Sequence, residues 1–132
     1  MDRNEELRQW FKCSKQDLDV AKHLINNMRP TPDEAICFHC QQSVEKDLKG
    51  FLFFNGTEFE KTHDLLVLLD ICVDIIPEFT KFGKQCTFLS RFAVMPRYPN
   101  EVLISDDDAK SAIRFAEDIK QFVMSKVNLS EN

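Results

Sequence analysis

The chain has 132 residues, 43% of them hydrophobic and 30% charged, and a net charge of −5. That is long enough to bury a core without disulfide or metal support and too apolar for a disordered segment. The negative balance excludes general electrostatic attraction to nucleic acid or an anionic membrane, and no apolar run approaches the roughly 20 residues that span a bilayer. The start, Met1 to Glu6, lacks the apolar centre of a signal peptide, so a single cytosolic domain spanning residues 1–132 is expected.

With only three glycines and five prolines and no sustained alternation, the pattern predicts an all-α, up-and-down bundle of four long helices plus a short additional one. A first helix is expected from about Asn4 to Met28. Leu7, Trp10, Phe11, Ser14, Leu18, Ala21, Leu24 and Ile25 recur in it at spacings of three and four, and Arg29-Pro30 ends it. A second follows with Thr31 as cap, Pro32 at the first helical position and Glu34 completing a capping box. Asn55-Gly56 supplies its stop, giving roughly 23 residues, about 35 Å, antiparallel to the first.

A third helix is expected from Thr62 or His63 to about Ile76, where Pro77 breaks the pattern. A fourth, from Glu78 to about Phe92, turns Phe79, Phe82, Cys86 and Leu89 inward. Pro96 and Pro99 make residues 93–104 a long loop. The last helix begins with Ser105 as cap and Asp106, Asp107 and Asp108 in its first turn, where the helix dipole favours acids. That position explains the charge run without a metal. The helix continues to about Val127, and residues 128–132 are expected to fray.

Five cysteines, an odd number at helical positions, read as free thiols. Cys37 and Cys40 form a C-x-x-C around His39, but a tetrahedral zinc site needs a second ligand pair that Cys13, Cys72 and Cys86 do not offer. Both are assigned to the core. Twelve phenylalanines against one Trp and one Tyr read as core filler, and Gly50, Gly56 and Gly83 stand too far apart for a phosphate loop. No metal and no cofactor is expected.

Projected at 100° per residue, the second helix groups Cys37, Cys40, Val44, Leu48 and Phe51 on a buried arc with Gln41 at its margin. His39, Gln42, Lys46, Lys49 and Phe53 fall roughly opposite and read from periodicity as a solvated face. Phe53, flanked in sequence by Phe38, Leu52 and Phe54, argues instead for a partner surface or ligand cleft, with a homodimer interface as one form of it. His63, at a predicted helix start, reads either as a hydrogen-bonding residue or as a general base that needs a substrate nucleophile nearby.

Four segments together resemble the HEPN family, over about Leu7 to Val123. They are Trp10, Asp17-Leu18 and Ala21; Cys40-Gln41-Gln42-Ser43-Val44-Glu45-Lys46-Asp47-Leu48-Lys49; Thr62-His63-Asp64-Leu65; and Arg97-Tyr98-Pro99. The resemblance implies a bundle of four or five helices, frequent homodimerisation, and action beside a small nucleotidyltransferase. It implies two activities: binding of nucleotides or other polyanions, or metal-independent RNA cleavage by an arginine followed four to six residues later by histidine. No arginine here has a histidine at that spacing, so no catalytic residue is assigned.

What carries over is a set of ligand-binding candidates, Gln42, Lys46, Lys49, His63, Arg97 and Tyr98. The lysines would act as point charges, Arg97 as a two-pronged phosphate clamp, and His63 and Gln42 as partners of base or sugar. Tyr98 would stack on a ring or cover the core, and Glu45 would fix a lysine. The leading expectation is a non-catalytic nucleotide-binding or nucleotidyltransferase-partner module. The alternatives are a ribonuclease of degenerate motif pairing His63 with Arg97, and a purely structural interaction module.

Overall fold

A computed structural model describes residues 1–93 and 104–128 and contains five α-helices among them. These are α1 (Arg3–Asn27), α2 (Asp33–Phe54), α3 (Leu65–Ile75), α4 (Gly83–Ser90) and α5 (Asp106–Lys126), with a 3₁₀ segment over Pro77–Phe82. The architecture is the expected all-α bundle. Its length is concentrated in α1, α2 and α5, of 25, 22 and 21 residues.

Local chemistry sets most of the ends. Asp2 caps α1 by accepting from the Glu5 N–H at 2.8 Å. The Arg29 guanidinium closes the other end, donating to the carbonyls of Ile25 and Met28 at 2.9 and 2.7 Å. Gly56, with φ +68°, ends α2 as expected, letting its own N–H reach Phe53 O and the Thr57 N–H reach Leu52 O, both at 3.0 Å. At α5 the full capping box forms between Ser105 and Asp108, which accounts for the acidic run as predicted.

Three predicted starts shift. The Thr31–Glu34 box does not form: Pro32 itself occupies the cap position, without a side-chain bond, and its carbonyl accepts from Ile36. Thr62 does not cap α3 either. Its hydroxyl accepts from the Asp64 N–H, and Asp64 caps the helix through Leu66 N at 2.9 Å, so His63 lies just outside it. The predicted fourth helix splits into the 3₁₀ segment and α4, because Pro77 opens a tight turn that Thr80 holds by donating to Pro77 O at 2.7 Å.

Helix α2 is the axis of the bundle, with α1, α5 and α3 packed around it. Phe51, Phe79, Phe82 and Phe122 pack together in the core, with centroids 4.8 to 5.2 Å apart in the tilted pair Phe51–Phe79 and the edge-to-face pairs Phe79–Phe122 and Phe82–Phe122. The inward set Phe79, Phe82, Cys86 and Leu89 is buried as predicted. Cys37 and Cys40 are fully buried free thiols, and burial pushes the Cys37 thiol up to about 12.

Helix α1 packs closely on α2 at Gly50. A methyl there would meet Phe11 Cε1 and Cζ at 2.9 Å and Trp10 Cβ at 3.2 Å. Phe11 is itself buried and has little room to retreat. Overpacking of this kind costs about 1–3 kcal/mol, against about 1 kcal/mol of helix propensity gained by removing glycine. Gly50→Ala is therefore expected to lower the unfolding free energy in urea by about 1 kcal/mol. A variant as stable as the native chain would show that α1 shifts without cost.

Candidate functional site

Because α1, α3 and α5 all lean on α2, none of the residues read as its solvated face is exposed. His39, Gln42, Lys46 and Phe53 are half-buried and Lys49 is buried. Phe53 lies under the guanidinium of Arg3, 4.6 Å from the ring centroid, while that guanidinium also takes the Phe53 and Phe54 carbonyls at 2.5 and 3.2 Å. Leu52 is fully buried. Phe53 and Phe54 thus pack against the edge of the core.

The polar residues of α2 resolve into three clusters. In the first, Gln41, Glu45 and Lys49 follow one another at intervals of four along one stripe that meets the segment before α3. The Glu45 carboxylate accepts from Lys49 Nζ at 2.9 Å, from Gln41 Nε2 at 3.1 Å and from His63 Nδ1 at 3.0 Å. Gln41 also donates to the His63 carbonyl at 3.2 Å and accepts from Gln42 Nε2 at 2.7 Å. The His63 side chain is 71% exposed whereas that of Lys49 is 10% exposed. With Nδ1 held by the carboxylate, His63 presents its Nε2 edge outward.

In the second cluster Asp17 of α1 accepts from His39 Nδ1 at 2.9 Å and, at very short range, from Lys46 Nζ. In the third, Lys120 of α5 donates to Ser14 Oγ at 2.7 Å and to Asp47 Oδ1 at 3.2 Å, while Ser14 donates to the Ser43 carbonyl at 2.8 Å. Asp47 is fully buried and its Oδ2 has no partner. Burial pushes its carboxyl up to about 6, against the lowering pull of Lys120 and Ser14.

Of the sequence candidates, the fold joins Gln42, Lys49 and His63 through Gln41 and Glu45, and sends Lys46 to the separate Asp17 cluster. Arg97 and Tyr98 lie outside the described residues. Glu45 does fix a lysine, as expected, but it is also the centre of the site. Gln41, placed at the margin by projection, is fully buried inside it. Lys120 was not singled out, Asp47 entered only within the family-like segment, and Ser14 only as part of the repeating face of the first helix. The usable signal was a run of amide, acid and base at 41, 45 and 49 in a helix otherwise apolar enough to be buried all round. Among the described residues no group of three or more His, Cys, Asp or Glu is placed to hold a metal ion.

The all-α bundle built around α2 is the architecture shared with the relatives that the chain matches. The HEPN domain family matches residues 7–127, and the chain belongs to that family. A protein of Methanocaldococcus jannaschii named "Putative toxin MJ1304" is 27% identical over 141 residues, covering 92% of this chain and 91% of that one. The crystal structure of ST0689, an archaeal HEPN homologue, superposes with a TM-score of 0.72 at 27% identity, covering 97% of this chain and all of that one.

Proposed function

We propose that this chain is a non-cleaving HEPN module that binds a nucleotide or another polyanion at the Glu45–His63 cluster and works in the cytoplasm as partner of a small nucleotidyltransferase. The observation that carries this is the posture of His63. Its ring is fixed from behind by a buried carboxylate and exposed in front, so an incoming base N–H or sugar hydroxyl finds a pre-oriented acceptor in Nε2 with little ordering left to do. Gln42 stands at the rim of the same cluster, and Arg97 and Tyr98 complete the candidate set by sequence. Lys46 and Lys49, neutralised by Asp17 and Glu45, hold the frame and supply no free charge.

The name of the relative from M. jannaschii supports a place in a toxin–antitoxin-like pair. A second reading, metal-independent RNA cleavage, draws on one specific observation. A carboxylate behind an exposed histidine is the arrangement that orients a general base. Incubating the full chain with RNA in the presence of a chelator separates the two readings: intact RNA is expected, and cleavage abolished in His63→Ala would install the enzyme reading instead. The binding reading is tested by calorimetric titration with nucleoside triphosphates.

A further inference from the structure

The hydrogen bonds of the Glu45 cluster have a direction, because they end on groups that only accept. A carboxylate and a carbonyl have no proton to give. Gln41 Nε2 lies against one of each, 3.1 Å from Glu45 Oε1 and 3.2 Å from the His63 carbonyl, so the Gln41 amide stands only one way round. Gln41 is fully buried, and its remaining Oε1 must accept; the donor is Gln42 Nε2 at 2.7 Å. Gln42 is fixed in turn with its own Oε1 outermost. That oxygen reaches solvent and has no partner among the described residues.

His63 is set by the same carboxylate. Its Nδ1 lies 3.0 Å from both Glu45 oxygens, which places the proton of the neutral ring there and leaves a lone pair on the exposed Nε2. The two polar ends that the cluster turns outward, Gln42 Oε1 and His63 Nε2, are therefore both acceptors. The charges around them do not favour a phosphate. Lys49 and Lys46 are held by Glu45 and Asp17, and the segment carrying His63 adds exposed Glu58, Glu60 and Asp64 against Lys61 alone.

We propose that this cluster selects the nucleoside end of its ligand by hydrogen-bond polarity, a selectivity that rests on the binding reading above and narrows it to nucleoside-containing ligands. It takes N–H or O–H donors, from an amino group of the base or a hydroxyl of the ribose. It rejects a nucleotide that presents a keto oxygen or no hydroxyl in their place. An acceptor facing an acceptor leaves both unpaired, so a site built to receive a donor discriminates sharply against the analogue that lacks it. Gln41 touches no ligand. It is a positioning residue that turns the rim amide of Gln42.

Calorimetric titration of the full chain with paired ligands tests this. ATP is compared with ITP, and CTP with UTP, to exchange amino for keto; ATP is compared with 2′,3′-dideoxy-ATP to remove the hydroxyls; inorganic triphosphate is the bare polyanion. The donor-bearing member is expected to bind about tenfold tighter or better, the worth of one hydrogen bond to a fixed acceptor. Loss with the keto analogues assigns the base amine, and loss with the dideoxy analogue assigns the ribose. In Gln41→Met the Gln42 amide is free to turn, and at least one of these preferences is expected to vanish while binding persists. Gln42→Ala, at the half-buried rim, is expected to lose the same preference, and melting temperatures within a few degrees of the native chain confirm that both variants are folded. Native preferences near unity, triphosphate binding as tightly as ATP, or preferences unchanged in both variants overturn the proposal and leave the binding reading standing. Heat from no nucleotide at millimolar concentration overturns both.

Discussion

Replacing Lys120 by methionine is expected to lower stability by roughly 3 kcal/mol at pH 8 and by much less at pH 5, because it removes the ammonium that faces a buried carboxylate. Asp47 is fully enclosed, one of its oxygens has no partner, and burial already pushes its carboxyl up to about 6. An acid whose folded value lies above its unfolded one binds an extra proton when folded. Stability is therefore greatest below the unfolded value near 3.8, falls as pH rises toward 6, and levels off above. Without Lys120 the carboxyl rises further and the fall extends to higher pH. Urea unfolding of both proteins at pH 5, 6, 7 and 8 checks this, and a deficit constant across the series would mean that the lysine acts only through its aliphatic stem.

The second large effect belongs to the candidate site itself. Glu45→Ala leaves Lys49 buried without its carboxylate and releases Gln41 and His63, which is expected to cost roughly 3 kcal/mol. Adding Lys49→Met to that variant removes the orphaned charge and is expected to restore most of the loss, since an apolar pair replaces the ion pair. If the double variant is less stable than Glu45→Ala, the lysine is held by something other than Glu45. The same double variant still lacks the support behind His63. Recovered stability without recovered ligand binding would assign Glu45 a positioning role.

Much of the framework was readable because it depends on local chemistry. The α5 start at Ser105, the Gly56 stop and the Phe79, Phe82, Cys86 and Leu89 set each follow from neighbours within a turn or two. The starts of α2 and α3 fall at Pro32 and Asp64, one and two positions beyond Thr31 and Thr62. The site was legible as a stretch but not as a geometry. Periodicity assigned Lys46 and Lys49 to water because a helical wheel sees only one helix, whereas Asp17 arrives from α1 and His63 from the segment before α3. Lys120 was out of reach for the same reason, being 73 positions from Asp47 and 106 from Ser14.

Three polar ties along one helix thus have different fates. The Ser14–Asp47–Lys120 and Asp17–His39–Lys46 clusters lie between helices and tie α1 and α5 to α2, with Asp47 Oδ2 left unpaired. The Glu45 cluster alone ends on a side chain as exposed as His63.

Calorimetric titration of nucleoside triphosphates into the native chain and into His63→Ala tests the assignment of that cluster most directly. Saturable heat at millimolar concentration or below, with affinity reduced at least tenfold in the variant, is the expected result. No heat at millimolar ligand, or equal affinity in the two proteins, would contradict it.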